Sequence, residues 1–132
     1  MKYYCDTNFV LRYLLGDNEE MLIKATEYFN KAQNGEIVMV IEQTIFTEVI
    51  FVLSSFYKVP RGKIAEILSH LLSYKGVQNE DIETLLIALE LYAKENIHIV
   101  DCLLIAKSKA TGLAILSFDK KLNKTSSTSV SE

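Results

Sequence analysis

Apolar residues fall into two kinds of stretch along the chain. Short compact runs occupy residues 2–5, 36–41 and 113–117, and the longer stretches between them carry apolar side chains at helical spacing. Residues 36–41, which are rich in β-branched side chains, have the composition of a strand buried on both faces. Because strands alternate with helices, the pattern predicts an α/β sandwich with a parallel sheet covered on both faces.

Glycine, proline and polar residues mark the ends of the predicted helices. Pro60 fits the first turn of a helix, where its missing N–H costs nothing. Six helices are predicted: one that ends at Gly16, one from Asp17 or Asn18 to Asn34, one over 43–57, one from Pro60 to Gly76, one from Asp81 to about Asn96, and one from Asp101 to Thr111. We predict one domain over residues 1–123 and a flexible Ser/Thr-rich tail over 124–132, which has almost nothing to bury.

Composition narrows the class of protein. With 132 residues, 49% of them hydrophobic, the chain suits one domain with a real core. Its 14 basic and 17 acidic residues give a net charge of −3, which argues against a generally basic nucleic-acid coat. No apolar run is long enough to span a bilayer, and Asp6 follows the start too closely for a signal peptide, so we expect a cytoplasmic protein without membrane contact.

Four acidic residues lie at positions where the predicted fold could bring them together. Asp6 follows the first strand, Asp119 follows the last, and Asp101 follows the apolar residues 97–100. Glu48 lies within the apolar helix over 43–57. Since the functional crevice of a parallel sheet lies outside the carboxyl ends of its strands, we expect these carboxylates to meet at one edge.

Each of these acids also has an ordinary structural explanation. Asp6 and Asp101 precede helices and could be N-caps, and Asp119 could be a turn residue. Glu48 could face solvent along a polar stripe with Thr44, Thr47 and Ser55.

Carboxylates that converge repel one another unless a cation neutralises them. An open carboxylate site suits Mg²⁺ or Mn²⁺, and such an ion can promote phosphodiester hydrolysis without histidine. We interpret His70 and His98 as structural residues and Cys5 and Cys102 as small core residues, because they form no metal-ligand or disulfide pattern.

Four segments that contain these acids resemble the motifs of the PIN domain family, most closely the VapC-type toxins of toxin–antitoxin modules. The resemblance covers residues 2–122 in the order and rough spacing of the family. The four segments are Tyr4-Cys5-Asp6-Thr7-Asn8-Phe9-Val10, Thr47-Glu48-Val49-Ile50, Val100-Asp101-Cys102-Leu103, and Ile115-Leu116-Ser117-Phe118-Asp119. The family often has threonine at the position of Ser117 and alanine at that of Cys102.

The resemblance implies a three-layer α/β/α sandwich with a central, mainly parallel sheet of four or five strands. It implies Mg²⁺- or Mn²⁺-dependent cleavage of single-stranded RNA, with Asp6, Glu48, Asp101 and Asp119 as metal ligands and catalytic residues. In this interpretation Asn8 and Ser117 support the ligands through hydrogen bonds. A cognate antitoxin and a homodimer are the partners that it implies.

Basic residues near the first and last motifs could hold the RNA backbone without reading its sequence. The candidates are Arg12, Lys107, Lys109, Lys120, Lys121 and Lys124. The lysines could instead form an ordinary solvated face.

Other classes remain to be compared with this hypothesis. An aspartate-based phosphatase needs a second aspartate where Asn8 stands, a receiver domain needs an aspartate that residues 36–42 do not supply, and no glycine-rich phosphate loop occurs. An inactive PIN-like interaction module, or a PIN nuclease of RNA processing or DNA metabolism, stays open as an alternative.

Overall fold

The computed structural model describes residues 1–130, and residues 131–132 lie outside the described part. Helices predominate around a small sheet. The elements are β1 (Lys2–Tyr4), α1 (Thr7–Leu15), α2 (Glu19–Gln33), β2 (Val38–Val40), α3 (Gln43–Ser55), α4 (Arg61–Leu72), β3 (Val77–Gln78), α5 (Ile82–Lys94), α6 (Ile99–Thr111) and α7 (Lys120–Val130).

The sheet is parallel, with the order β1-β2-β3. Met39 at the centre of β2 pairs with Tyr3 on one side and with Val77 on the other. A pair of helices makes each crossover between consecutive strands, as parallel pairing requires. The predicted α/β fold with a parallel sheet is confirmed, but the sheet within residues 1–130 has three strands instead of four or five.

The predicted last strand over residues 113–117 is wrong: no strand forms there. Leu113 is 71% exposed and Leu116 is fully exposed. Side chains of the neighbouring helices hold this segment, because the Ser108 hydroxyl donates to the Leu113 carbonyl and the Asn123 amide donates to the Ser117 carbonyl. The segment therefore lies between α6 and α7, and β1 remains an outer strand.

The chain is helical beyond residue 123, where we expected a flexible tail. Helix α7 runs from Lys120 to Val130, and Leu122 is buried where α7 packs on α6. Residues 124–130 therefore have regular structure, while the end of the predicted tail, residues 131–132, lies outside the described part.

The core lies where the helices cover the sheet. The ring of Tyr13 stacks on that of Phe29 with centroids 4.0 Å apart, and the Tyr13 hydroxyl hydrogen-bonds that of Tyr74 at 2.7 Å. Cys5 and Cys102 are buried, as predicted, and burial raises the pKa of each thiol to about 11. Within residues 1–130, no helix is long and apolar enough to cross a membrane.

Gly76 lies directly before β3, where its backbone comes very close to those of Ile37 and Ala32. A Cβ at this position would lie 2.0 Å from the Ile37 carbonyl oxygen and 2.8 Å from that of Ala32. The Gly76 N–H donates to the Ala32 carbonyl at 2.7 Å, so α2 and the sheet meet here without room for a side chain.

Candidate functional site

Asp6 and Glu48 lie on neighbouring elements and are linked through Thr7. Asp6 caps α1, because its Oδ1 accepts the Phe9 N–H at 2.9 Å. The hydroxyl of Thr7, the next residue, donates to Oε1 of Glu48 on α3. Glu48 is exposed, so its carboxylate faces solvent and is not a buried charge. Asp6 is thus an N-cap and Glu48 faces solvent, as their ordinary structural explanations predict. Neither role prevents the two acids from flanking one site.

Asp101 and Asp119 both line a cavity of about 160 Å³ between α6 and α7. Asp101 is the third residue of α6, whose N-cap is His98, so the prediction that Asp101 is itself the cap is wrong. Its carboxylate instead lies in the first turn, where the helix dipole stabilises it. Asp119 caps α7 by accepting the Leu122 N–H at 2.9 Å. The remaining lining residues are Asn96, Ile97, His98, Lys121 and Leu122.

Asp6 and Glu48 thus lie on either side of Thr7, while Asp101 and Asp119 line the cavity between α6 and α7. Among residues 1–130, no group of three or more His, Cys, Asp or Glu side chains is close enough to hold a metal ion. That all four carboxylates share one ion stays a prediction from the sequence. The donor chemistry still suits a hard cation, since Mg²⁺ keeps several waters and is usually bound by one or two carboxylates together with substrate phosphates. The Asp101–Asp119 pair meets that smaller requirement.

The two predicted supporting residues have different surroundings. The Ser117 hydroxyl accepts the Asp119 N–H at 3.0 Å, which fixes the backbone at the start of α7. Asn8 is exposed on α1, next to Thr7. Thr7 itself was missed from the sequence, although a hydroxyl between Asp6 and Asn8 is a signal that could have identified it.

The basic candidates differ in exposure, since the Arg12 side chain is largely buried and the lysines are exposed. Arg12 forms two hydrogen bonds to the Asp17 carboxylate, at 2.7 and 2.8 Å, and its side chain is only 18% exposed. A hydrogen bond with Tyr57, together with the charge of Asp17, raises the pKa of Arg12. The Arg12 guanidinium therefore links the end of α1 to Asp17 and Tyr57, and its contact with RNA stays a prediction. The exposed side chains are those of Lys107, Lys109, Lys120, Lys121 and Lys124.

One of these lysines lines the cavity of the aspartate pair. Lys121 lies on α7, two residues after Asp119, so a cation accompanies the two carboxylates. The sequence indicates Lys121 only as one of several basic residues, and its position beside both carboxylates is seen in the folded chain.

Comparison with known proteins agrees with the motifs. The chain is 28% identical over 120 residues to a VapC ribonuclease of Aquifex aeolicus (strain VF5), which covers 90% of this chain and 88% of that protein. No solved structure matches the chain at a comparable level. The family model described as PIN domain matches residues 3–127, which is nearly the whole sequence. The chain therefore belongs to the PIN domain family.

Proposed function

We propose that the chain is an endoribonuclease that cleaves single-stranded RNA with the help of Mg²⁺ or Mn²⁺, and that it is the toxin of a type II toxin–antitoxin module. The observation that carries this proposal is the cavity lined by Asp101 and Asp119, which offers two hard oxygen ligands beside a lysine. The similarity to a VapC ribonuclease over most of both chains supports the choice of RNA as the substrate.

The protein groups would mainly bind and orient. A divalent ion, when bound, supplies charge neutralisation at the phosphate and activation of water. Asp101 and Asp119 would hold it, together with Asp6 and Glu48 as the family resemblance implies. Thr7 restrains Glu48 by its hydrogen bond, Ser117 restrains the backbone of Asp119, and the Lys121 ammonium is placed to contact an RNA phosphate.

We also propose two protein partners and a cytoplasmic location. A cognate antitoxin would cover the site, and a second copy of the chain would form a homodimer in the cytoplasm. Phe51 and Phe56, which are 55% and 76% exposed, supply apolar surface for such contacts.

The direct test is incubation of the purified protein with labelled single-stranded RNA or single-stranded DNA, in Mg²⁺, Mn²⁺ or EDTA. We expect RNA cleavage only with a divalent ion. Asp101→Asn should lower the rate roughly 100-fold or more, because loss of a partner outside the ligand shell already costs 10–100-fold at metal sites. Glu66→Gln is the matched control, since Glu66 is an exposed acid on α4 that pairs with Lys63.

Each other outcome contradicts part of the proposal. Cleavage in EDTA would contradict the proposed requirement for a divalent metal ion. Preferential cleavage of DNA would indicate a nuclease of DNA metabolism, and no cleavage under any condition would indicate an inactive interaction module.

A further inference from the structure

A second cavity lies beyond the carboxyl ends of β2 and β3. Its volume is about 360 Å³, within the range of about 300–1,000 Å³ that is usual for small-molecule sites. It adjoins the candidate active site, because Thr47 precedes Glu48 and Val100 precedes Asp101. The lining residues are Gln43, Thr44, Thr47, Glu80, Val100, Leu103, Leu104 and Lys107.

Gln43 is the feature of this cavity that calls for a ligand. Its side chain is only 9% exposed, yet its Oε1 has no hydrogen-bond partner. Buried polar atoms are normally paired, so an unpaired acceptor in a cavity wall indicates a missing donor. An N–H group of a bound molecule would supply that donor.

The Glu80 charge disfavours an anion next to Gln43. The Gln43 backbone N–H, at the start of α3, donates to the Glu80 carboxylate at 3.0 Å. Glu80 thus already occupies the anion position at this helix N-terminus, and a phosphate placed there would be repelled. Lys107, at the opposite wall, lies near a second acid, Asp81, whose pKa is lowered mainly by hydrogen bonds from Thr84 and in smaller part by the Lys107 charge. A neutral group that donates hydrogen bonds fits these surroundings.

The apolar part of the wall favours a flat occupant. Val100 and Leu104 on α6 are 48% and 43% exposed, so each offers apolar surface to the cavity without being needed in the core. A planar ring can pack its face on these side chains while its edge reaches Gln43 and Glu80. Unpaired RNA bases are bound in this way, by packing on the face and hydrogen bonding at the edge.

We propose that this cavity binds one unpaired nucleobase of the substrate, and that it selects bases with an exocyclic amino group over uracil. The Glu80 carboxylate accepts from the amino group, the Gln43 side-chain oxygen accepts once its amide turns toward the cavity, and Val100 and Leu104 pack on the ring. The inference rests on the proposed ribonuclease function and adds a base preference beside the cleavage site.

The test measures binding separately from cleavage. Labelled single-stranded oligonucleotides of adenine, cytosine or uracil are titrated with the full chain in EDTA, and fluorescence anisotropy gives each Kd. We expect adenine and cytosine strands to bind about tenfold more tightly than uracil strands, as one well-formed base contact provides. Gln43→Leu, which keeps the size of the side chain and removes its acceptor, should abolish that ratio and leave uracil binding unchanged.

Two further variants keep the inference falsifiable. Gln33→Leu, at an exposed position on α2, is the matched control and should retain the ratio. Leu104→Arg fills the mouth of the cavity from an exposed position, and it should remove the ratio even if Gln43→Leu fails to fold.

The outcomes separate the inference from the function on which it rests. Equal wild-type affinity for all three strands, or a ratio that survives in both Leu104→Arg and a folded Gln43→Leu, would overturn the base pocket while leaving ribonuclease activity intact. A wild-type protein that shows the ratio but never cuts RNA would support the pocket and overturn the proposed function.

Discussion

Two apolar segments of similar length, residues 36–41 and 113–117, have opposite environments in this molecule. The first contains β2, which is bonded to a strand on each side, and Met39 at its centre is 1% exposed. The second has no strand partner, and Leu116 within it is fully exposed. An apolar run thus becomes a strand only where neighbouring backbones are available to pair with it.

The same contrast separates the two pairs of acids. Asp6 and Glu48 belong to the sheet side of the molecule, where Asp6 directly follows Cys5 at the end of β1 and Glu48 lies on α3. The position of Asp119 depends on the segment 113–117 and on α7. The candidate site therefore joins a tightly packed part of the chain to a loosely packed one.

The largest expected effect is that of Gly76→Ala, at the tightest point of the sheet side. The added Cβ would strike the backbone oxygens of Ile37 and Ala32, so unfolding free energy should fall by roughly 4 kcal/mol, the exceptional end of single substitutions. Chemical denaturation measures this. Gly62→Ala is the control. The position is helical, a Cβ added there would meet no atom within 4 Å outside the backbone of its own helix, and we expect stabilisation of roughly 0.5–1 kcal/mol. Similar effects at both glycines would contradict the tight packing.

A second pair of variants compares the two apolar segments directly. Met39→Ala removes a fully buried side chain from β2 and should cost roughly 3 kcal/mol. Leu116→Ala removes a fully exposed side chain and should change stability by less than about 0.5 kcal/mol. Denaturation of both proteins in one series measures the difference. A large cost at Leu116 would show that residues 113–117 are buried in solution, and the comparison would fail.

The burial of Cys5 on the sheet side should make the free energy of unfolding depend on pH. Burial, with a contribution from the Asp6 charge, raises the pKa of Cys5 from 9.0 to about 11. Between these values the unfolded chain releases a proton that the folded protein retains, so unfolding free energy should fall as pH rises. The slope should approach roughly 1 kcal/mol per pH unit for this thiol. Cys5→Ala should make the fall less steep and leave the part due to Cys102, whose pKa is raised to the same value, and an unchanged slope would contradict the assignment.

The smallest effect distinguishes a cap from a catalytic ligand at Asp6. Asparagine caps helices as well as aspartate does, so Asp6→Asn should leave the thermal midpoint in EDTA nearly unchanged, while Asp6→Ala should cost about 1 kcal/mol. If Asp6 also belongs to the active site, Asp6→Asn should lose RNA cleavage at unchanged stability. Full activity of Asp6→Asn would leave it only a capping role.

Local signals in the sequence were sufficient for helices α1 to α6 and for strands β1 and β2, but not for β3 or α7. Pro60 precedes α4 at Arg61, and Gly16 and Gly112 adopt left-handed conformations at the ends of α1 and α6. Such residues act on their own backbone, so their meaning does not depend on distant contacts. The family resemblance was also readable, because the four motifs stand in order along the chain.

Long-range geometry was not readable from the same signals. Whether residues 113–117 form a strand depends on backbones from distant parts of the chain, and the Ser/Thr-rich sequence after Lys120 shows little apolar periodicity to predict α7. The hydrogen bond from Thr7 to Glu48 joins residues 41 positions apart, and the cavity around Gln43 is lined by α3, α6 and Glu80 of the loop after β3. Contacts of this kind arise only from the folded arrangement.

The side chain of Arg61 has a consequence for engineering this protein. Its guanidinium lies 3.7 Å above the Tyr92 ring and donates to the carbonyls of Tyr92 and Ile97, and so it fastens the short connection that leads into α6. Epitope tags or additional residues inserted at this connection would pull those carbonyls from their donors, even though Glu95 and Asn96 are exposed. Solvent exposure alone is therefore a poor guide to where this chain accepts an insertion.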